Sequence, residues 1–157
     1  MPDTGHTITT MTTHLGADHG TTHNKKIVDE FIQALFTRGE LDAVDRYLDP
    51  AFVNHDPPFP GAPQGPEGMR QAAEMFRAGA PDWHSDLHQL VAEADVVVER
   101  FTASGTHTGV LMGVAPTGRR IVLAGINIFR LDGDRIVERW GQLDMLGVLR
   151  QLGLAPG

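Results

Sequence analysis

The sequence has 157 residues, of which 41% are hydrophobic, a size and composition that suit one domain with a buried core. The net charge of −7 disfavours nucleic-acid binding, which relies on clustered Lys and Arg, and the absence of cysteine excludes disulfides, thiolate zinc sites and cysteine nucleophiles. Because no stretch reaches the roughly 20 apolar residues of a membrane span and the pattern of a signal peptide is missing, we expect a cytoplasmic protein that does not bind a membrane.

The first 23 residues are rich in Thr, Gly and His and contain almost nothing that a core could bury. We therefore interpret residues 1–23 as a disordered tail and residues 24–157 as one folded domain. The tail has four histidines at irregular spacing, a pattern for which no metal site is predicted. They are His6, His14, His19 and His23.

Three helices are predicted before the first long strand. Asn24 is a favourable cap for the first helix, which ends near Gly39, and the second helix ends at the Asp-Pro pair 49–50. Pro66, with a carboxylate after it, suits the first turn of the third helix. A short extended segment, "AFVNHD", and a loop rich in Pro and Gly separate the second helix from the third.

From residue 81 onward, apolar residues recur with the period of two that is typical of strands. Four strands are predicted in "DWHSDLHQLVAE", "DVVVERFTASGTHTG", "RRIVLAGINIFRL" and "RIVERWGQLD", and a short helix, "MLGVLRQLG", follows. Asp132-Gly133 is a strong signal for a hairpin between the last two strands. Helices followed by an antiparallel meander predict an α+β domain whose helices cover one face of a curved sheet.

The third of these strands is apolar on both faces, although the helices can cover only one of them. A second copy of the chain is the natural cover for the other face, so we expect a homodimer that packs sheet to sheet through its outer face. One face carries Ile121, Leu123, Gly125, Asn127, Phe129 and Leu131, and the other carries Val122, Ala124, Ile126 and Ile128.

A polar cluster on the face of Asn127 is typical of a small-molecule pocket. A two-residue turn at Asp132-Gly133 would pair Asn127 with Glu138, whereas a three-residue turn with a bulge would reverse the faces of the last strand. The buried amide of Asn127 then either binds a ligand or ties two strands together. In the two-residue register, the residues that share its face are Glu138, Trp140, Gln142 and Asp144.

Asp144 immediately precedes the final helix, where aspartate is a favoured N-cap. A partly buried carboxylate at the same place could also transfer a proton, if desolvation raises its pKa. Both interpretations of Asp144 stay open on the sequence alone.

Histidines supply the remaining candidates for polar chemistry. His55, beside Asn54, enters the proline-rich loop and is a candidate general base, or else an ordinary loop histidine. His107, in "GTHTG", carries the same two interpretations. A metal could bind the strand residues His84, Asp86 and His88, but this face is expected to point outward, so no metal site is predicted.

The segments "GTHTGVLMGVAPTGRR", "INIFRLDGDRIVERW" and "LDMLGVLRQLG" resemble the SnoaL-like polyketide cyclase (ester cyclase) family of the nuclear transport factor 2-like superfamily, over about residues 24 to 155. The resemblance implies a cone-shaped α+β barrel, with the three N-terminal helices on the concave face of its sheet, a deep apolar pocket and a dimeric assembly. It also implies cofactor-free intramolecular aldol condensation of aromatic polyketide intermediates, in which an acidic side chain on the last strand handles the proton.

One position departs from the family pattern. When the "LRQLG" ends are matched, the acid/base aspartate of the aldol cyclases falls at Gly141, or at Trp140 if the longer turn "DGDRI" shifts the match. Neither residue can transfer a proton. Asp144 matches a carboxylate that several relatives carry, and Asn127 matches an amide in some of them.

Three functions follow from these residues. In the first, a cofactor-free cyclase or isomerase acts on a hydrophobic, oxygenated, polyketide-like molecule. Asp144 or His55 moves the proton, while the substrate contacts Asn54, Trp83, Phe101, His107, Asn127, Glu138, Trp140 and Gln142. The second is a non-catalytic binding protein in which Asp144 only caps its helix. The third is hydrolysis of the epoxide-opening type, which needs Glu138, Asp144 and Asn127 to converge on one water.

Overall fold

The computed structural model describes residues 17–157 of the chain. Of the predicted tail, residues 1–23, the first 16 residues lie outside the described part of the chain. The first helix begins at Ala17 rather than after Asn24, so the expected cap at Asn24 is wrong. The early turns lack an apolar stripe but have tertiary partners: His23 Nε2 lies 2.7 Å from Asp134 Oδ1, and the Asn24 amide donates to the Ala94 carbonyl at 3.4 Å.

Four α-helices carry the helical part of the described chain. They are α1 (Ala17–Ile32), α2 (Ala43–Tyr47), α3 (Pro66–Gly79) and α4 (Met145–Gln151). The third helix and the closing helix are where the sequence predicts them. Among the described residues, no helix is long and apolar enough to span a lipid bilayer.

Helix α1 runs directly into a π-helical turn, Gln33–Thr37. The N–H of Arg38 donates to the Gln33 carbonyl at 2.9 Å, one residue further back than in an α-helix. The turn is followed by Gly39, whose φ of 69° is a conformation that favours glycine.

Five strands form one sheet in the order β1-β5-β4-β3-β2. They are β1 (Leu48–Asn54), β2 (His84–Glu93), β3 (Val96–Thr106), β4 (Arg120–Asp132) and β5 (Arg135–Leu143). The sheet curls without closing into a barrel, and the predicted α+β class and four-stranded antiparallel meander are confirmed. The short extended segment becomes β1, which pairs in parallel with β5.

The hairpin between β4 and β5 does not have the two-residue register considered from the sequence. The turn residues are Gly133 and Asp134, because Asp132 pairs with Arg135. One extra residue, Val137, then bulges from β5, so that Asn127 pairs with Gly141 instead of Glu138. Because side chains alternate along a strand, this odd shift reverses the faces of β5 beyond the bulge.

The two rows of side chains on β4 lie on opposite faces of the sheet, as the sequence predicts, and they differ in burial. The row that contains Leu123, Asn127 and Phe129 is buried beneath the helices. On the other face, the side chains of Ile126 and Ile128 remain 44% and 36% exposed. Apolar side chains therefore lie on the outer face without cover from this chain.

The buried apolar side chains form two clusters. The first joins α1 and α2 to the β4–β5 end of the sheet around Phe31, Leu35 and Phe129. The second lies around Phe76 of α3 and Phe101 of β3. A cavity lies where the two clusters meet, because residues of both contribute to its wall.

Candidate active site

The cavity has a volume of about 50 Å³ and is mostly apolar. On one side, Trp83 stacks on Phe76 with ring centroids 4.6 Å apart, which gives the cavity a flat aromatic wall. Its lining residues are Ile32, Phe36, Pro58, Met69, Ala72, Phe76, Trp83, Ser85, Glu99, Phe101, Ala103, Leu123, Asn127, Arg139 and Leu143.

Glu99 is the one carboxylate among the described residues that line this cavity. Its side chain points inward because it alternates in phase with Val97 and Phe101 on β3, and it is only 1% exposed. Burial raises the pKa of Glu99 to about 7, and the hydrogen bond from the Asn127 amide (3.0 Å) and the charge of Arg139 offset part of that effect. Asp29 of α1 adds a smaller upward contribution to the pKa.

Arg139 is a buried cation that is 3% exposed. Its Nε donates to Oδ1 of Asn127 at 3.1 Å, and its Nη1 donates to Oδ1 of Asn54 at 2.9 Å and to the Asp56 carbonyl at 2.8 Å. Burial lowers the pKa of Arg139 to about 10, against the opposing charges of Asp56 and Glu99. The guanidinium therefore remains charged at neutral pH.

Gly141 faces the guanidinium of Arg139. A Cβ atom on Gly141 would collide with it, so the close approach depends on glycine at this position. The Gly141 N–H donates to Oδ2 of Asp56 at 2.9 Å, which fixes the backbone beside the arginine. The space beside Gly141 is thus filled by the guanidinium of Arg139.

These groups form a linear network from Glu99 through Asn127 to Arg139 and Asn54. A carboxyl group with a pKa of about 7 can both accept and return a proton near neutral pH. Among the residues that the structure describes, none accepts a hydrogen bond from Nη2 of Arg139, and Arg139 lies in the wall of the cavity.

The structure brings three of the predicted substrate contacts into the cavity wall, namely Trp83, Phe101 and Asn127. Asn54 is buried directly behind the wall, where it holds Arg139. Their roles in binding a substrate stay predictions.

The predicted row on β5 lies on the opposite face, because the Val137 bulge reverses it. Glu138 bonds to Nε of Arg130 at 2.7 Å, which lowers the pKa of the glutamate, and Trp140 stacks on His55 with centroids 4.7 Å apart. Gln142 shares this outer face with them. The structure therefore places Glu138, Trp140, Gln142 and the general-base candidate His55 outside the wall of this cavity.

Asp144 is exposed and caps α4, where its Oδ1 accepts from the Gly147 N–H at 2.8 Å. It does not line the cavity. Of its two interpretations, the structure supports the cap, because an exposed carboxylate lacks the desolvation that an acid/base role would need.

His107 is completely buried but lies away from the cavity. Its Nδ1 accepts from the Thr117 N–H at 3.3 Å and lies 2.9 Å from Oγ1 of the same residue. The histidine thus ties the loop after β3 together, and its predicted contact with a substrate is not part of this cavity wall.

The histidines of β2 have partners of their own. His84 lies 3.5 Å from Asp86, and Nε2 of His88 lies 2.7 Å from Oγ1 of Thr102. Within residues 17–157, no group of three or more His, Cys, Asp and Glu side chains could hold a metal ion.

Sequence reasoning missed three polar residues of the cavity. Glu99 and Ser85 could have been found from strand alternation, because each lies two residues from an aromatic side chain predicted to face the pocket, Phe101 or Trp83. Arg139 gave no such signal, since the face of the sheet on which it lies depends on the bulge at Val137.

The comparisons with known proteins agree with this fold. The family model of the SnoaL-like polyketide cyclase matches residues 26–152. Nogalonic acid methyl ester cyclase of Streptomyces nogalater is 29% identical over 119 residues, which cover 75% of this chain and 89% of that protein. Aklanonic acid methyl ester cyclase DnrD of Streptomyces peucetius is 29% identical over 68% of this chain and 72% of its own length.

Comparison with a solved structure shows the same fold. TsrD from Streptomyces laurentii superposes with a TM-score of 0.74 at 30% identity, and the match covers 85% of this chain and 97% of TsrD. Because the family model spans most of the chain, the protein belongs to the SnoaL-like polyketide cyclase family.

Proposed function

We propose that this protein catalyses a cofactor-free intramolecular aldol ring closure on an aromatic polyketide ester, with Glu99 as the group that carries the proton. The observation that carries the proposal is a buried glutamate in the wall of an apolar cavity, with a pKa of about 7. The two curated relatives are cyclases that act on methyl esters of aklanonic and nogalonic acid, which supports a substrate of that class.

The reaction needs only proton transfers and one new carbon–carbon bond. Ionised Glu99 removes a proton from the carbon next to a substrate carbonyl, and the electron pair delocalises to form an enolate. The enolate carbon attacks a second carbonyl carbon of the same molecule, and Glu99 returns the proton to the alkoxide that results. No electron is gained or lost, so no redox cofactor takes part.

Arg139 and Asn127 support the charged states of this sequence. The free Nη2 of Arg139 is a charged donor for the enolate oxygen, in a site where the low dielectric strengthens the interaction. The Asn127 amide donates to Glu99 and accepts from Arg139, so it holds the carboxyl group and the guanidinium in a fixed relation.

The cavity must widen to admit such a substrate. Its volume of about 50 Å³ is smaller than the cavity of about 150 Å³ that admits benzene in an engineered protein. Met69, a flexible side chain, and Pro58, from the loop between β1 and α3, lie in the wall and are the parts best suited to move.

A hydrolytic function has less support from the same residues. Epoxide opening was expected to use Glu138 and Asp144, which lie on the outer face and at an exposed helix cap. Glu99 alone would have to serve as both the acid and the base. Non-catalytic binding of a hydrophobic molecule in the same cavity is the second candidate.

We also propose that the chain forms a homodimer through the outer face of the sheet. Ile126 and Ile128 are exposed there, next to the stacked pair His55 and Trp140. A contiguous apolar surface of this kind gains stability when a second copy covers it.

The direct experiment incubates the purified protein with aklanonic acid methyl ester and with nogalonic acid methyl ester and follows the cyclised product by liquid chromatography. Product formation above the buffer rate is expected for at least one ester. Tight binding without turnover of either ester would favour the binding protein over the enzyme.

A further inference from the structure

Ser85 is a second polar group in the cavity, far from the Glu99 network. It lies on β2, pairs with Ala103 of β3 and is 7% exposed. Its side chain lines the cavity on the aromatic side, near Trp83 and Phe101. The network described above does not involve it.

The backbone of Ser85 is held in place by the π-helical turn. Its N–H donates to Oγ1 of Thr37 at 3.0 Å, and its carbonyl accepts from Nε2 of Gln33 at 3.1 Å. Since β2 is an edge strand, these two side chains satisfy backbone groups that no further strand could pair. The serine is thus held rigidly with its side chain toward the cavity.

The hydroxyl of Ser85 has no hydrogen-bond partner among the residues that the structure describes. Buried hydroxyl groups are normally paired, and the neighbouring Ser104 of β3 shows the usual arrangement, because its Oγ accepts from Arg120 at 2.9 Å. An unpaired hydroxyl at a cavity wall is available to a ligand oxygen.

The two polar ends of the cavity are separated by an apolar middle. Ala103, the partner of Ser85, lies four residues from Glu99 along β3, a distance of about 13 Å between Cα atoms. Phe101 lies between them, and Leu123 of β4 continues the apolar surface. A flat molecule that fills this slot would place one oxygen near Arg139 and another near Ser85.

We propose that the Ser85 hydroxyl is a specificity-determining anchor, which binds an oxygen substituent at the end of a fused-ring aromatic substrate opposite its reacting ester end. The inference rests on the proposed function and adds the shape of the substrate: elongated, flat and oxygenated at both ends. The substituent is a phenolic hydroxyl group, because a serine hydroxyl can donate to its oxygen and accept from its O–H.

The test uses two flat tricyclic esters that differ by one hydroxyl group, methyl anthraquinone-2-carboxylate and its 6-hydroxy derivative. Dissociation constants are measured by calorimetry for the wild type, Ser85→Ala and the matched control Ser104→Ala. The wild type is expected to bind the hydroxylated ester about five- to tenfold more tightly, the range that one hydrogen bond supplies. Ser85→Ala should lose this preference, and Ser104→Ala should keep it.

Melting temperatures separate an anchor from a structural hydroxyl. Ser85→Ala is expected to melt at or above the wild-type temperature, because it removes an unpaired buried group, whereas Ser104→Ala should melt lower. A melting temperature of Ser85→Ala as low as that of Ser104→Ala would overturn the inference. So would a retained hydroxyl preference in Ser85→Ala, or a wild type that binds neither ester or binds both equally.

The binding measurement does not depend on turnover. A wild type that shows the hydroxyl preference but cyclises no ester would refute the proposed enzyme and leave the Ser85 anchor standing. A wild type that cyclises an ester but shows no preference for the hydroxylated ester would support the proposed enzyme and refute the Ser85 anchor.

Discussion

The guanidinium group of Arg139 lies against Gly141, in the space that a side chain at position 141 would need. Position 141 therefore carries no carboxylate beside the cavity. The cation fills that place, and a carboxyl group reaches the same cavity from β3, through Glu99.

Gly141→Ala should therefore displace Arg139. We expect it to lower stability by about 1–3 kcal/mol, as overpacking a buried site does, and to reduce turnover. Chemical denaturation measures the first effect and a steady-state assay the second. In the Arg139→Met background the same substitution should cost much less, since the clash is gone; an equal cost in both backgrounds would show that the two residues do not compete for space.

The ionisation of Glu99 should control the rate near neutral pH. A base must be deprotonated to act, so kcat/KM of the free enzyme should rise with pH through about 7, the raised pKa of this group. A pH–rate profile between pH 4 and 9 measures the midpoint. A profile that rises near the ordinary glutamate value of 4.5 would contradict the burial argument.

A substitution at Asp29 should shift the midpoint of this pH–rate profile. Its negative charge raises the pKa of Glu99, so Asp29→Asn should move the midpoint to lower pH while leaving the plateau rate in place. A neighbouring control, Glu30→Gln on the exposed side of α1, should leave the midpoint unchanged.

Asp144 should matter for stability and not for chemistry. Asp144→Ala removes the side-chain bond to the Gly147 N–H and should cost about 0.5–2 kcal/mol of unfolding free energy. Asp144→Asn, which keeps a capping side chain, should lose much less. Turnover measured well below the melting temperature should be the same in both variants; a large loss of kcat in Asp144→Asn would return this residue to the mechanism.

The outer face should hold the dimer together. Ile128→Lys places a charge in the exposed apolar row and should convert the dimer to a monomer in size-exclusion chromatography with light scattering. Val110→Lys, at a site 62% exposed and outside the sheet, is the control and should remain dimeric. A wild type that is monomeric at micromolar concentration would refute the assembly.

The sequence predicted the fold well because its patterns are local. Pro66 at the start of α3, the four strands of period two and the glycine-containing turn before β5 are each determined by neighbouring residues. The start of α1 was missed because residues such as His23 are ordered by contacts with distant turns.

The site was harder to predict because it depends on which face of the sheet each residue of β5 occupies. One bulged residue, Val137, reverses β5, removes Trp140 and Glu138 from the cavity and brings Arg139 into it. No local pattern marks a bulge at that residue. The position of Glu99 follows from alternation with Phe101, but a lone charge in a strand ordinarily indicates a solvent-facing side chain.

The most direct test of the account compares kcat/KM of Glu99→Gln with that of Glu138→Gln, the same substitution on the outer face, in the cyclisation of aklanonic acid methyl ester at pH 8. Glu99→Gln should keep its fold at pH 8. Because the pKa of Glu99 is raised, its favourable contribution to stability is fully present below pH 4.5 and is lost as the pH rises through about 7, so the substitution removes no stabilising charge at pH 8. We predict a loss of about 100-fold or more for Glu99→Gln and wild-type turnover for Glu138→Gln. Equal turnover in the wild type and Glu99→Gln would contradict the assignment of the proton to this residue.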